Sequence, residues 1–358
     1  MPVNLNGIQL FMGPQQLGGP DDLKKTIIDY INGAQRSLDI AVQELDDIDI
    51  AKAIIAAKKR TFTKSNGKQQ HLTVRIILEG DYLHANKPQI DPFTPTGSLE
   101  DNRHIINALY RSAVALKTDY NGNIFHQKFI IRDRKDILTG STNFTKTGTC
   151  KNLNHLAIIE DPKVVSAYGK EYKEMLEGRF GKRSDNTIKP IVTVRDGVRL
   201  KPLFAPNHSP EMEIMKQMAK ARKRIDFAIF TFSQSSGIDD QMNMIVNAGI
   251  VVDGLINGDQ RNQKWSASRK LEPAVNVGFT KKGLNGLGKL HHKLMVIDKQ
   301  VVIIGSFNYT GPANKLNDEN IIVIGDLDTT DPVGRQNQML LGQYAFDEIE
   351  RIRSVFVQ

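Results

Sequence analysis

Two stretches of the chain decide the fold: HQKFIIRDRKDILTGSTN at residues 126–143 and HHKLMVIDKQVVIIGSFN at residues 291–308. Aligned without a gap, they share the pattern H-x-K-x4-D-x6-G-S-x-N, and corresponding residues lie 165 positions apart. Six fixed residue types at one spacing rarely coincide by chance, so finding the set twice is a strong signal. We call these segments motif 1 and motif 2. They predict a duplicated protein with one motif in each half.

The repeat extends beyond the motifs. Residues 34–43 resemble residues 221–230 at an offset of 187, and residues 78–81 resemble residues 256–259 at an offset of 178. The shrinking offset indicates insertions in the first half. We expect one insertion at the polar stretch 58–70. A second is expected in the loop that contains three prolines: Pro88, Pro92 and Pro95.

In both halves, strands alternate with amphipathic helices, which we place at about residues 21–35 and 210–223. This order predicts the α/β class, with a mainly parallel or mixed sheet flanked by helices in each half. The polar segment 181–190 precedes the opening strand of the second repeat. We therefore divide the chain into an N-terminal half, residues 1–185, and a C-terminal half, residues 186–358.

The composition fits a protein with a sizeable core and excludes several classes. The 358 residues are 40% hydrophobic and carry a net charge of +8, a weak indication of a polyanionic partner. The single cysteine, Cys150, excludes an intramolecular disulfide and a zinc site of several thiolates. No apolar run approaches the ~20 residues that cross a bilayer, and residues 1–7 lack the parts of a secretory signal. We expect a cytoplasmic protein without stable membrane insertion.

The motif side chains suit the chemistry of a phosphate diester. Residues i and i+2 of a strand share a face, so the His and Lys of each motif project together. Gly-Ser-x-Asn, at the end of the next strand, adds a hydroxyl and an amide. The ammonium and the amide can stabilise phosphate oxygens while an imidazole attacks phosphorus or carries a proton. The candidate catalytic residues of the motifs are His126, Lys128, Ser141, Asn143, His291, Lys293, Ser306 and Asn308.

These motifs resemble those of the phospholipase D superfamily, the HKD phosphodiesterases, and the resemblance spans nearly the whole chain. It implies a duplicated fold in which two halves, related by a pseudo-twofold axis, bring both motifs to one active site. It implies further that one histidine forms a covalent phosphohistidine while the other protonates the leaving group and then activates water. No metal or other cofactor is expected, and a monomer should suffice for catalysis.

The resemblance also implies roles for Asn154 and Glu319, which lie 28 residues after the two motif histidines. In the family, the residue at this place hydrogen-bonds the histidine of the opposite half. Carried over, Glu319 orients His126 and Asn154 orients His291. A carboxylate that accepts the Nδ1 proton leaves Nε2 free as a nucleophile. We therefore predict that His126 is the nucleophile and His291 the general acid and base.

Other motif residues allow simpler interpretations. The serine hydroxyls can touch phosphate or only satisfy a turn, and the sequence leaves both alternatives open. Asp133 and Asp298 would repel a phosphate, so we interpret them as structural residues that hold backbone by hydrogen bonds. His292 should face the opposite side of its strand from its neighbours, which favours packing over catalysis.

The charge distribution suggests the substrate. Residues 260–293 contain eight basic residues and one acid, interleaved with aromatic residues and glycines. A basic, aromatic-containing loop beside a phosphodiester site is typical of a groove that follows a nucleic-acid backbone. The candidate substrate-binding residues are Lys264, Trp265, Lys281, Lys282 and Lys289.

The predicted function is therefore a metal-independent nuclease that cleaves DNA or RNA. The alternative is a phospholipase D or a cardiolipin-synthase-like phosphatidyl hydrolase or transferase. A nucleic-acid-binding protein without turnover and a tyrosyl-DNA-phosphodiesterase-like enzyme remain further alternatives. No sequence-reading module is apparent, which favours weak specificity or targeting by a partner protein.

Overall fold

The computed structural model describes residues 3–83, 93, 99–184 and 189–357. In the N-terminal half the elements are β1 (Val3–Leu5), β2 (Ile8–Gly13), α1 (Leu23–Asn32), β3 (Ser37–Val42), α2 (Ile48–Lys59), β4 (Thr61–Thr63), β5 (Gln69–His71), β6 (Thr73–Glu79), α3 (Glu100–Arg111), β7 (Ala115–Asp119), β8 (Lys128–Arg132), β9 (Asp136–Gly140), α4 (Lys146–Cys150), β10 (Asn152–Ile159) and α5 (Pro162–Leu176).

The C-terminal half repeats this series. Its elements are β11 (Thr193–Arg195), β12 (Val198–Ala205), α6 (Pro210–Met218), β13 (Arg224–Ile229), α7 (Ile238–Asn247), β14 (Val251–Asn257), α8 (Ser268–Leu271), β15 (Asn276–Thr280), β16 (Lys289–Leu290), β17 (Lys293–Ile297), β18 (Val301–Gly305), α9 (Gly311–Lys315), β19 (Glu319–Ile324) and α10 (Pro332–Phe356).

Each half contains one large sheet, and the two sheets have the same topology. The strand orders are β1-β2-β10-β9-β8-β3-β6-β7 and β11-β12-β19-β18-β17-β13-β14-β15. Along each of these strand orders the last three strands pair in parallel and the other neighbours pair antiparallel. This is a mixed sheet in each of two repeated halves, as the sequence predicts.

A tight hairpin follows the His and Lys of each motif. Asp133 and Asp298 occupy the turns with φ of 54° and 52°. The Asp133 carboxylate accepts hydrogen bonds from three successive backbone N–H groups, at residues 35–37. Asp298 does the same for residues 222–224. The prediction that both aspartates are structural is confirmed, because each one ties its hairpin to the chain that enters the neighbouring central strand.

The first predicted insertion forms secondary structure of its own. Residues 58–70 contain the end of α2, β4 and part of β5, and β4 and β5 form a separate two-stranded hairpin. The second predicted insertion, at Pro88, Pro92 and Pro95, lies outside the described residues. So does the proposed boundary between residues 185 and 186, which stays a prediction.

The two halves share one hydrophobic core. A cluster of buried side chains includes Leu10 and Tyr168 from the N-terminal half together with Leu200 and Ile352 from the C-terminal half. Two further clusters, one in each half, lie under the outer helices. Within the described ranges, no helix is both long enough and apolar enough to span a membrane.

Backbone pairing also crosses between the halves at two symmetric places. β16 pairs in parallel with β10 of the other half, through Leu290 and Leu153. Phe125 and Asp318 form the matching parallel bridge on the other side. Each pairing immediately precedes a motif histidine, so the start of each motif is fixed against the opposite half.

Candidate active site

Both motifs open into one cavity between the halves, with a volume of about 590 Å³. The cavity is lined by Gln43, Glu44, Tyr82, Ile124, His126, Asn143, Thr145, Thr147, Gly148, Asn152, Phe230, Thr231, Lys289, His291, Asn308, Thr310, Pro312, Asn317 and Glu319. Residues from both motifs and from the strand ends around them therefore share a single space.

His126 lies two residues before the start of β8 and is anchored by the other half. Its backbone N–H donates to the Asp318 carbonyl at 2.9 Å. Its Nδ1 lies 2.6 Å from Oε2 of Glu319, the first residue of β19. Because a carboxylate oxygen accepts hydrogen bonds, this contact favours the tautomer with the proton on Nδ1 and a free lone pair on Nε2.

His291 is anchored in the same way with a neutral partner. Its Nδ1 lies 2.9 Å from Oδ1 of Asn154. The amide orientation is fixed because Nδ2 of Asn154 donates to the Gly148 carbonyl at 2.8 Å. Oδ1 must then accept, so Nδ1 of His291 carries a proton and Nε2 is left to exchange protons in the cavity.

The motif serines hold the partners of the histidines. Ser141 donates to Oδ1 of Asn154 at 2.7 Å, and Ser306 donates to Oε2 of Glu319 at 2.6 Å. Both hydroxyls are fully buried and lie outside the cavity lining. The sequence leaves two alternatives open for these serines, a phosphate contact and a simple turn, and the structure favours neither of them. Each serine fixes the residue that orients a histidine.

Two buried lysines accompany the histidines. Lys128 Nζ donates to the His126 carbonyl at 2.7 Å and to Gln43 Oε1 at 3.0 Å, and Lys293 Nζ donates to the His291 carbonyl at 2.8 Å. Burial lowers the pKa of Lys128 to about 7 and also lowers the pKa of Lys293 well below its usual value. A bound anion would oppose this shift by favouring the ammonium form.

The imidazoles titrate below their usual range. Burial, followed by the field of Lys128 and Lys293, lowers the pKa of His126. Burial and the same two lysines lower the pKa of His291, with smaller contributions from His126 and Lys289. Burial raises the pKa of Glu319 to about 8, against the opposing influence of Lys128. The pair of carboxylate and neutral imidazole is therefore favoured toward alkaline pH.

The two motif asparagines have different neighbours. Asn143 Nδ2 donates to Glu44 Oε2 at 3.2 Å, whereas Asn308 Oδ1 accepts from the Thr231 backbone N–H at 3.3 Å. Burial and the nearby Asp46 raise the pKa of Glu44. An acidic side chain therefore lines one side of the cavity, and a threonine stands at the corresponding place on the other.

The residues predicted to bind substrate are only partly brought to this site. Lys289 lines the cavity, with its Nζ 5.4 Å from the ring centroid of Phe230. Four others are exposed and lie outside this cavity's lining: Lys264, Trp265, Lys281 and Lys282. The backbone of Trp265 accepts from Gln234 N–H at 3.0 Å, which fixes the 264–265 segment to the loop that follows β13. Their role in substrate binding stays a prediction.

Several site residues were missed by the sequence analysis. Gln43 and Phe230 are the last residues of the repeated stretches 34–43 and 221–230, so their place in the repeat was a usable signal. Glu44 and Thr231 follow them directly. Tyr82 directly follows another repeated stretch, residues 78–81, and its hydroxyl lies 3.4 Å from Gln43 Nε2.

Across the described part of the chain, no group of three or more His, Cys, Asp or Glu residues is arranged to hold a metal ion.

Comparison with known proteins gives consistent matches. A family model described as "Cardiolipin synthase, PLD-like domain" matches residues 27–176 and 214–339. Mitochondrial cardiolipin hydrolase of Xenopus laevis is 26% identical over 181 residues, which cover 49% of this chain and 74% of that protein. A phospholipase D of Rickettsia felis is 30% identical over 149 residues, which cover 42% of this chain and 62% of that protein.

A solved structure matches the fold over the whole chain. Phosphatidylserine synthase of Haemophilus influenzae superimposes with a TM-score of 0.67 at 12% identity, covering 100% of this chain and 89% of that one. The curated relatives, in contrast, match over only part of their length, which is 55% for the mitochondrial cardiolipin hydrolase of Chlamydomonas reinhardtii. The two segments matched by the family model contain motif 1 and motif 2, and this chain therefore belongs to the phospholipase D superfamily.

Proposed function

We propose that the protein hydrolyses phosphodiester bonds through a phosphohistidine on His126. The observation that carries the proposal is the arrangement of His126 and His291. They come from opposite halves, each is anchored through Nδ1, and both line one cavity beside two buried lysines. Membership of the phospholipase D superfamily and relatives named as a cardiolipin hydrolase and a phospholipase D support a phosphodiesterase. The residue roles and the substrate are our proposal.

The first step forms the covalent bond. Nε2 of His126 attacks phosphorus, the bond from phosphorus to the leaving oxygen breaks, and Nε2–H of His291 gives its proton to that oxygen. Lys128 and Lys293 are buried behind the cavity lining, and their positive charge stabilises the negative charge of the phosphate. Cations contribute to the low pKa of His291, and a bound phosphate anion offsets their field, so substrate binding favours the protonated acid.

The second step restores the enzyme. Water attacks phosphorus, His291 takes the water proton on Nε2, and the bond from phosphorus to His126 Nε2 breaks. Glu319 stabilises the Nδ1–H tautomer of His126 throughout. No atom in either step has to come from a metal ion or another cofactor.

For the substrate we propose a nucleic acid, which makes the protein a nuclease. The basic stretch 260–293 supports this proposal, and one of its lysines, Lys289, lines the cavity. Phospholipid is the second candidate. The specific observation that favours it is that curated relatives are named cardiolipin hydrolase and phospholipase D.

One experiment tests both the proposed mechanism and the proposed substrate. Purified protein is incubated in EDTA with supercoiled plasmid, single-stranded DNA, single-stranded RNA and, separately, vesicles that contain cardiolipin and phosphatidylglycerol. The His126→Ala variant is the control. Cleavage of a nucleic acid by the wild type alone supports the nuclease, and cleavage of lipid alone transfers the assignment to phospholipid. Activity that EDTA abolishes, or that His126→Ala retains, contradicts the mechanism.

A further inference from the structure

A second symmetric feature lies behind the catalytic residues, on the side of each motif strand that faces away from the cavity. The middle residue of each H-x-K segment meets a residue of the other half. Gln127 Oε1 accepts from Asn320 Nδ2 at 2.6 Å, and Nδ1 of His292 lies 3.1 Å from Nδ1 of His155. All four side chains are fully buried. We call these the amide pair and the imidazole pair.

The two pairs are related by the repeat. The same offset of 165 that relates the motifs takes Gln127 to His292 and His155 to Asn320. Corresponding places in the interface therefore hold either two amides, which do not titrate, or two imidazoles, which do. The centroids of the two imidazole rings lie 5.3 Å apart, with an angle of 15° between the ring planes.

The hydrogen bonds around the imidazole pair determine its protonation state. The Gly305 backbone N–H donates to His155 Nε2 at 3.1 Å, so His155 carries its proton on Nδ1 and donates to His292 Nδ1. His292 then carries its proton on Nε2, which faces Oε1 of Glu348 at 3.4 Å. Arg351 in turn donates to both oxygens of Glu348 at 2.8 Å.

This chain of contacts accommodates two neutral rings and no further proton. A proton added to His155 Nε2 would face the Gly305 N–H, and one added to His292 Nδ1 would face the N–H of His155. Either addition places two donors against each other in a buried interface.

The charged groups around the pair come from two elements. Lys293 on β17 and Arg351 on α10 disfavour a further positive charge, whereas Glu348 on α10 favours one on His292. Beyond Glu348 lies Asp21, which is hydrogen-bonded to Tyr344. Burial is the largest influence and lowers the pKa of both rings.

The imidazole pair is also connected directly to the catalytic residues. His155 follows Asn154, which anchors His291, and its backbone N–H donates to Ser141 at 3.1 Å. His292 lies between His291 and Lys293 in the chain. Gly305 precedes Ser306, which holds Glu319. A shift of the pair would therefore move the supports of both catalytic histidines.

We propose that His155 and His292 position the two half-sites against each other and make this assembly acid-sensitive. The unfolded chain can protonate both histidines below pH ~6.5, whereas the folded pair excludes those protons. Because the unfolded state then binds more protons, stability falls as the pH falls. The amide pair on the other side has no such dependence.

The symmetry of the molecule supplies the test variant. The double substitution His155→Asn with His292→Gln copies the residues of the amide pair. Urea unfolding of this variant, the wild type and the control His104→Gln, which changes an exposed histidine, is measured at pH 7.5, 6 and 5. Each histidine that is protonated only when unfolded raises the unfolding equilibrium constant by up to about tenfold per pH unit.

In the wild type the two histidines together should raise the unfolding equilibrium constant by up to about 100-fold for each unit by which the pH falls. The double variant should lose this rise, while His104→Gln should keep the wild-type slope. The activity of the double variant at pH 7.5 should stay within about tenfold of the wild type. At pH 5 the double variant should be inactivated more slowly than the wild type. Equal pH slopes in the double variant and the wild type would overturn the proposal.

A measurement on the wild type covers the case in which the double variant does not fold. Nitrogen-15 NMR of the histidine rings reports which nitrogen carries the proton. We expect two neutral rings at pH 6, with the proton of His155 on Nδ1 and that of His292 on Nε2. A doubly protonated ring at either position in the folded protein would contradict the proposal.

Discussion

The two halves of the active site have the same plan and different chemistry. Each half supplies a histidine, a lysine and an asparagine from its motif, and each histidine is anchored through Nδ1 by the opposite half. The anchor of His126 is the carboxyl group of Glu319, whereas the anchor of His291 is the amide of Asn154. The duplicated fold preserves the motif groups that we propose meet a phosphate, and the groups behind them have diverged.

The same divergence appears around the lysines and asparagines. Lys128 is hydrogen-bonded to Gln43, while Lys293 lies with its Nζ 5.2 Å from the ring centroid of Phe230. Glu44 contacts Asn143 where Thr231 contacts Asn308. Most of the acidic character lies around motif 1. Two imidazoles in symmetric places can therefore take unequal roles, because their surroundings stabilise different protonation states.

The largest effect should come from removing either catalytic imidazole. His126→Ala and His291→Ala should each lower turnover by at least about 10³-fold on substrates with an alkoxide leaving group. With a p-nitrophenyl phosphodiester, whose leaving group needs no acid, His291→Ala should still release a burst of one equivalent of p-nitrophenolate. His126→Ala should give no burst. Stopped-flow absorbance and phosphohistidine mapping check this, and phosphate on His291 would reverse the two roles.

The next largest effects should come from the two anchoring residues, Glu319 and Asn154, and the loss of kcat should differ between them. Glu319→Gln removes the carboxylate that favours the Nδ1–H tautomer and should lower kcat roughly 10²- to 10⁴-fold. Asn154→Ala removes a neutral acceptor and should lower kcat only about 10- to 100-fold. Steady-state kinetics of the two variants, with circular dichroism to confirm folding, make the comparison. Equal losses would show that the anchors are functionally equivalent.

The pH dependence of the reaction should reflect the ionisation of both Glu319 and Lys128. The attacking form needs ionised Glu319, whose pKa burial raises to about 8, so kcat/KM should rise with pH up to that region. Phosphate stabilisation needs protonated Lys128, whose pKa burial lowers to about 7, so the rate should fall at higher pH. Leaving-group protonation needs protonated His291, whose pKa burial also lowers, and this adds to the fall. The profile should be a bell, with roughly tenfold per pH unit on the acid limb and at least roughly tenfold on the alkaline limb. Glu319→Gln should lose the rising limb, and an unchanged profile would contradict this assignment.

A smaller effect should follow when the acidic side of the cavity is made to match the neutral side. Glu44→Thr copies Thr231 and removes a carboxylate near the phosphate position. For a singly charged diester the KM should fall about three- to tenfold, because one like-charge repulsion is lost. Substrate titrations at pH 8 check the value. A KM that rises instead would show that Glu44 contributes to binding through Asn143.

The smallest effect on activity is expected at the two hairpin aspartates. Asp133→Ala and Asp298→Ala each leave three backbone N–H groups without their carboxylate acceptor, so each should lower the free energy of unfolding by about 1–3 kcal/mol. The rate per folded molecule should stay unchanged, since neither residue lines the cavity. Urea unfolding and active-site titration separate the two quantities. A loss of turnover in the folded fraction would place these residues in the catalytic machinery.

Local sequence predicted much of the fold, because the required information is local. The apolar runs of the motifs form β8, β9, β17 and β18 as expected, since a strand face is set by the residues it contains. The amphipathic stretch at about 21–35 forms α1, Leu23–Asn32, which begins at the Asp22 cap. The short hairpin β4–β5 was expected only as an insertion, because polar residues carry little periodic signal.

The environment of the site was less predictable. The sequence allows two interpretations of Ser141 and Ser306. Only the alignment of the strands shows that these serines donate to Asn154 and Glu319. The basic stretch 260–293 was expected to feed the site, yet among the substrate residues predicted there, only Lys289 lines the cavity. Sequence gives the number of charges in a segment, whereas the fold determines which of them face the cavity.

By itself, the sequence determined the duplication and the two motifs, and it predicted the reacting groups, because these depend on residue types at fixed spacing. The tertiary structure decided which residues meet across the halves. Gln127 with Asn320 and His155 with His292 are separated by 193 and 137 residues, and only the packing of two sheets brings them into contact. Protonation states followed from the structure as well, since they depend on burial and on charges that are distant in the chain.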